Sequence, residues 1–478
     1  MRRLLSAALL AVVIVASAGA QDLGETEFEN SGAAEAQGPF LRGLLLLHSF
    51  EYDDARDAFQ EARRIDPDFA MAAWGEAMTH NHPIWEEQDL EAARAALAGV
   101  SANGLTDREA AYLATLDVLY GEGEKEDRDD AYAEAMRQLA EAYPDDLDAR
   151  SLYALALLGT AHEGRDFTTY MRAAAVAEEV FDENPRHPGA AHYLIHAYDD
   201  PVHAPLGLRP ARVYADVAPA ASHALHMPSH IYLALGMWDE TAEMNRRSYE
   251  AAKANSDRRG APLNGHGWHA LYWWHYAETQ RGDEAAADRL RALAREHYEA
   301  SPSRLALSHW VRVRAHSRLA FGGEGPSPLP LGDASDVTRA IDAFDRATAA
   351  LVAGDAEAAR EVHAALAAGL DADADWQARA TLLQIEALAT AASGDVDRAV
   401  ALLQEAAAVE DAAPLTFGPP TPVVPSHDLL GRMLLDLGRG EEAAAAFEGA
   451  LARAPGRRQS LDGLAEARAA GAPAGGGR

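Results

Sequence analysis

Apolar residues along this chain recur at helical spacing, and no stretch alternates with the period of two that a strand requires. Ala55, Phe59 and Ala62 stand four and three residues apart, which is one face of a helix. Pro67 follows where that helix would have to end. The same order of small, aromatic, small and proline residues returns at Ala443, Phe447, Ala450 and Pro455. A glycine, Gly43 or Gly431, stands twelve residues ahead of each set. Weaker copies lie between them: Ala173, Ala177, Val180 and Pro185; Gly207, Ala211, Tyr214 and Pro219; and Gly394-Asp395 with Ala399, Leu403 and Ala406. Gly236, Gly282, Gly354 and Gly438 read as turns between paired helices. Small residues let two helices approach, the aromatic ring fills the gap, and proline stops the second helix.

These residues resemble the tetratricopeptide (TPR) family, whose 34-residue unit places small, aromatic, small and proline residues in that order. The resemblance covers nearly all of 38–470 and implies an all-α fold, a right-handed superhelical solenoid of antiparallel helix pairs, roughly ten of them. Breaks in the pattern suggest a flexible leader over 21–38, an N-terminal solenoid with a histidine-rich groove over 39–321, a Gly/Pro linker over 322–333, C-terminal repeats over 334–470 and a disordered tail over 471–478. The proline-rich run Phe417 to Pro425 leads into the last strong repeat.

Residues 1–20 read as a signal peptide: Arg2 and Arg3, an apolar run from Leu4 to Val15, and Ala18-Gly19-Ala20 before Gln21. That run is too short for a stable membrane span. The expectation is export to a periplasm or beyond the cell. With no cysteine in 478 residues, disulfides and thiolate sites are excluded. Removing Arg2 and Arg3 leaves 40 basic against 75 acidic side chains, a net charge of −35. Such a surface repels nucleic acid and anionic lipid, and it raises the local concentration of cations.

Chemistry concentrates in the first part of the chain. Counting 34-residue units from Pro188 and Ser222, His192 and His226 share the fifth place, and His196 and His230 share the ninth. Each pair is i, i+4, so its rings lie on one helix face. First helices of successive units run about 8–10 Å apart. Four imidazoles are therefore expected to converge within reach of a metal bonded at about 2.0–2.1 Å. Asp199, Asp200, His203, His223, His266 and His269 surround this set as weaker candidates. His48 and His82 lie in neighbouring turns. Trp268, Tyr272, Trp273 and Tyr276 form an aromatic helix read mainly as interhelix packing, while His297, His309, His316 and His363 read as packing or surface residues. Neither histidine helix carries His-Glu-x-x-His, and no phosphate loop or nucleophile elbow is present, so peptidase and nucleotide chemistry drop out.

Three readings remain, one of them a pH-responsive groove whose clustered histidines turn cationic in mild acid. The resemblance implies a binding protein or scaffold, not an enzyme, with a peptide or protein partner in the concave groove and neither nucleic acid nor stable membrane insertion. The alternative is a histidine-ligated metal protein, its first shell His192, His196, His226 and His230. Imidazole ligands suit zinc, copper, nickel or iron, and any catalysis would depend on the metal.

Overall fold

The computed structural model describes residues 22–471 except 102, 103, 324 and 372. The predicted signal peptide and residues 472–478 of the predicted tail lie outside the described residues. The regular secondary structure described is helical, apart from two-residue strands pairing Asn81–His82 with Glu87–Gln88. Successive helices pack as antiparallel pairs, beginning with Gln37–His48 against Tyr52–Ile65 and ending with Ser426–Asp436 against Gly440–Arg453. The chain is thus an all-α array of tetratricopeptide-like helix pairs.

The repeat motif has a direct packing cause. Phe59 is fully buried against Gly43 of its own pair and Gly75 of the next helix. A β-carbon on Gly43 would lie 2.8 Å from the Phe59 ring, and one on Gly75 would collide with it. The C-terminal copy repeats this, with Phe447 held between Gly431 and Gly463. The predicted turn residues Gly282 and Gly354 adopt φ of 73° and 79°, the left-handed region that glycine enters without penalty. Aspartates following these glycines cap the next helix, as Asp283 accepts from the Ala286 amide at 2.9 Å.

Two expectations are corrected. The leader is packed, because it carries apolar side chains that the helices leave room for. Leu23 and Phe28 are buried, and the Phe28 ring lies 5.4 Å from Phe40 and 5.3 Å from Tyr112 under the Arg108 guanidinium. Thr26 donates to Asp148 at 2.7 Å, and helix begins at Gln37. Nor does the Gly/Pro run at 322–333 divide two solenoids. Leu329 and Leu331 pack into an apolar core that runs unbroken from Tyr249 to Val423. That core takes over from the N-terminal one between Tyr232 and Tyr249, in the long helix Trp238–Arg259.

The chain also folds back on itself. Arg457 donates to the Tyr276 hydroxyl at 3.1 Å, the Arg458 amide to Gln280 at 3.0 Å, and Gly456 abuts the backbone of Gly236. Residues of the proline-rich segment lie inside the turn thus made: Phe417 rests 5.6 Å from the His230 ring, and Gly418 sits against Trp273.

Candidate metal centre

Three first helices, Pro188–Tyr198, Ser222–His226 continued by Pro228–Ala234, and Gly265–Arg281, carry the histidines. Every residue of Pro188–Tyr198 is buried, as expected of a helix apolar on all sides, so its two imidazoles lie inside the protein. Pro228 interrupts the second helix without turning it, because Met227 keeps helical dihedrals (φ −53°, ψ −39°). His226 and His230 therefore stay on one face.

Hydrogen bonds fix which nitrogen of each ring faces inward. His192 Nδ1 lies 2.7 Å from the His48 carbonyl, which can only accept, so Nδ1 carries the proton. His230 Nδ1 donates to Asp199 at 2.6 Å. His226 Nδ1 donates to Asn245 Oδ1 at 2.6 Å, and the Asn245 amide nitrogen donates to the Thr241 carbonyl at 2.8 Å, which sets the amide's orientation. In all three rings the proton sits on Nδ1 and the Nε2 lone pair points inward. His226 Nε2 then faces His230 Nε2 at 2.9 Å, and His192 Nε2 faces His196 Nε2 at 3.1 Å.

The His226 and His230 lone pairs repel at that separation unless a proton or a cation lies between them, whereas His196 Nε2 is free to donate to His192 Nε2. Burial, with neighbouring imidazoles adding to it, holds His226, His196, His223 and His269 well below 6.5 and takes His192 down to about 3.

Ligand atoms come within 4.8 Å of one another in two trios here, His192, His196 and His223, and His226, His230 and His269. The expected convergence of His192, His196, His226 and His230 on one ion is thereby corrected: the two pairs belong to different trios, each completed by a histidine of the following first helix. His223 joins the trios, its ring 5.0 Å from His192 and 6.1 Å from His226, and its Nε2 is buried without a partner among the described residues. His269 holds the fifth place of the third helix, like His192 and His226. It stands 43 residues after His226 because the intervening helix Trp238–Arg259 is long, so 34-residue counting undervalues it. The ninth place of that helix is Trp273, whose ring lies 4.4 Å from His230.

Other predicted residues take supporting or separate places. Asp199 contacts His230 Nδ1, on the side of the ring away from His226, so it orients that imidazole. Asp200 accepts from the His203 amide at 2.9 Å and from His203 Nδ1 at 2.8 Å, so both residues build the turn after the first helix and stand apart from the trios. His266 is half-buried at the rim, 5.0 Å from His223. His82 stacks on Tyr52 at 4.0 Å, outside the cluster. His48 belongs to a third buried group: its Nε2 lies 2.8 Å from Asp148, which His187 also contacts at 3.3 Å, and its Nδ1 meets the Tyr193 hydroxyl at 2.9 Å. Thr26 completes the Asp148 shell, so this group is satisfied internally and steadies the carbonyl that holds His192.

Sequence reasoning missed Asn245, which lies on a second helix where no periodicity marks it. It also missed the apolar walls. Phe50 lies 4.3 Å from His192 and 5.6 Å from His223, Tyr214 stacks on His192 at 5.3 Å, and Phe417 closes over His230. Among the described residues, no helix is long and apolar enough to cross a membrane.

No family model matches this chain, and no curated protein matches it. Comparison with solved structures finds helical arrays at low identity. The Cut9–Hcn1 hetero-tetramer of APC/C is 13% identical over 92% of this chain and 78% of its own, with a TM-score of 0.35. Yeast Tom70 is 12% identical over 91% and 88%, with a TM-score of 0.33. The human IFIT1 dimer with m7Gppp-AAAA is 14% identical over 94% and 92%, with a TM-score of 0.38. The chain's own geometry describes it best: an array of tetratricopeptide-like helix pairs enclosing a buried histidine cluster.

Proposed function

We propose that this is a metal-binding protein whose transition-metal centre lies inside the helical array, held by imidazoles. The observation that carries the reading is the pair His226 and His230. Both Nδ1 atoms are committed to outer acceptors, and the two Nε2 atoms stand 2.9 Å apart, facing each other. Ligands bonded to one ion at about 2.0–2.1 Å at near-tetrahedral angles are roughly 3.3 Å apart, so little movement is needed to bind. The outer acceptors, a carboxylate, an amide and a backbone carbonyl, are the partners that ligating histidines use to raise their basicity.

A partner bound against these same histidines is the weaker reading, because His192 and His226 are 0% and 2% exposed. Partner binding elsewhere on the array is compatible with a metal centre. Export belongs to the proposal too: Leu23 is already part of the core three residues after Ala20, so cutting there would leave the folded chain whole.

The test is elemental analysis of the chain purified without a histidine tag, alone and with His196→Ala and His230→Ala combined. Stoichiometric metal that disappears in the double variant is expected. A wild-type chain that is folded yet metal-free after exposure to zinc, copper, nickel and iron salts would sink the proposal.

A further inference from the structure

The repeat that builds one triad builds a second beside it. In each, an i, i+4 histidine pair on one first helix is completed by a histidine from the next: His223 for the pair His192 and His196, His269 for the pair His226 and His230. Each pair has its own short Nε2 to Nε2 separation, 3.1 Å and 2.9 Å. One ion held by one trio leaves the ligand nitrogens of the other unoccupied. Two complete trios therefore offer two cation sites.

The charge around the pocket restricts which cations. All six trio side chains are neutral donors when bound. Two buried carboxylates touch the trio residues, Asp199 on His230 and Glu51 on the His223 amide at 2.9 Å, while Arg165, on the His196 carbonyl at 2.9 Å, is neutralised by Asp200 beside it. Asp199 and Glu51 then leave two formal negative charges beside the trios. Two monovalent ions balance them, whereas two divalent ions leave a net positive charge among aromatic walls, which is costly in a buried site. Three imidazoles also satisfy a monovalent copper ion, while zinc seeks a fourth ligand.

We infer that the pocket holds two monovalent copper ions, one in the trio His192, His196 and His223 and one in the trio His226, His230 and His269. This inference rests on the metal-binding reading above.

The experiment counts metal in the full-length chain. Wild type, His223→Gln and His269→Gln are loaded anaerobically with excess cuprous ion, desalted and analysed, with a parallel loading by zinc and helical content checked by circular dichroism. The expected result is two copper per wild-type chain and one in each variant, because the untouched trio still binds. If one variant loses its helical content, the other still reads its trio. One copper per wild-type chain would overturn the pair while leaving the metal centre standing. No copper but two zinc would overturn the assignment of the cation. Two copper ions retained in a folded variant would place the copper elsewhere, and no metal of either kind would remove the centre altogether.

Discussion

Asn245 shows how much a single side chain can decide. Its amide nitrogen is spent on the Thr241 carbonyl, so its oxygen must meet His226 and the proton of that ring has only one place to be. His275 shows the opposite case. It is fully buried and both its nitrogens lack a partner among the described residues, and burial lowers its pKa to about 3. Because the folded value lies below the ordinary 6.5, its contribution to stability is fully present above about pH 6.5 and is lost as pH falls toward 3, where only the unfolded chain gains the proton. Replacing His275 by Leu is expected to stabilise the fold by about 1–3 kcal/mol at pH 7, the usual cost of an unsatisfied buried group. Two pH units below 6.5 the advantage grows by roughly 2–3 kcal/mol. Melting curves of both proteins at pH 7 and 4.5 test this, and an advantage that stays constant with pH would contradict it.

Helix pairing rests on the glycine–aromatic contact, and here the sequence speaks plainly. Phe59 and Phe447 occupy equivalent positions, and the glycines around them are the positions where a neighbouring helix comes closest. Gly75→Ala is predicted to destabilise the chain by about 1–3 kcal/mol, since the added methyl strikes a fully buried ring that has no space to retreat. Urea unfolding measures it, with Gly354→Ser as a comparison for turn strain, because a side chain on Gly354 meets no atom within 4 Å. The histidine pairs were legible at the same level, because i, i+4 spacing puts two rings on one face whatever surrounds them. Their grouping was not legible. His269 sits 43 residues beyond His226, and only the length of the intervening helix explains why it nevertheless stands beside it.

The array is closed at both ends by its own chain. The N-terminal strap inserts Phe28 among Phe40, Trp74 and Tyr112, and the last repeat docks through Arg457 and Arg458 onto Tyr276 and Gln280. Phe28→Ala is expected to cost about 3–5 kcal/mol, the range for emptying a buried aromatic site. It would show as a lowered urea midpoint, and an unchanged midpoint would mean that the strap adds nothing to the fold. The strap reads as polar leader because its two buried side chains are too few and too far apart to form a period. The Gly/Pro run at 322–333 reads as a boundary for the converse reason. Its composition breaks helices, yet composition does not say whether the flanking helices share a core.

What this sequence determined unaided is everything set by spacing within about one helix pair: helical content, turn glycines, the glycine–aromatic contacts and the two histidine pairs. These follow from 3.6 residues per turn and from side-chain size, which act locally. Only the tertiary structure decided that the imidazoles are buried, that they sort into two trios, and that Asn245, Phe50 and Phe417 enclose them. Those facts depend on how far each helix runs before the chain turns back, and on which distant segment fills the space inside the turn. Packing between residues hundreds of positions apart settles that, and no local period records it.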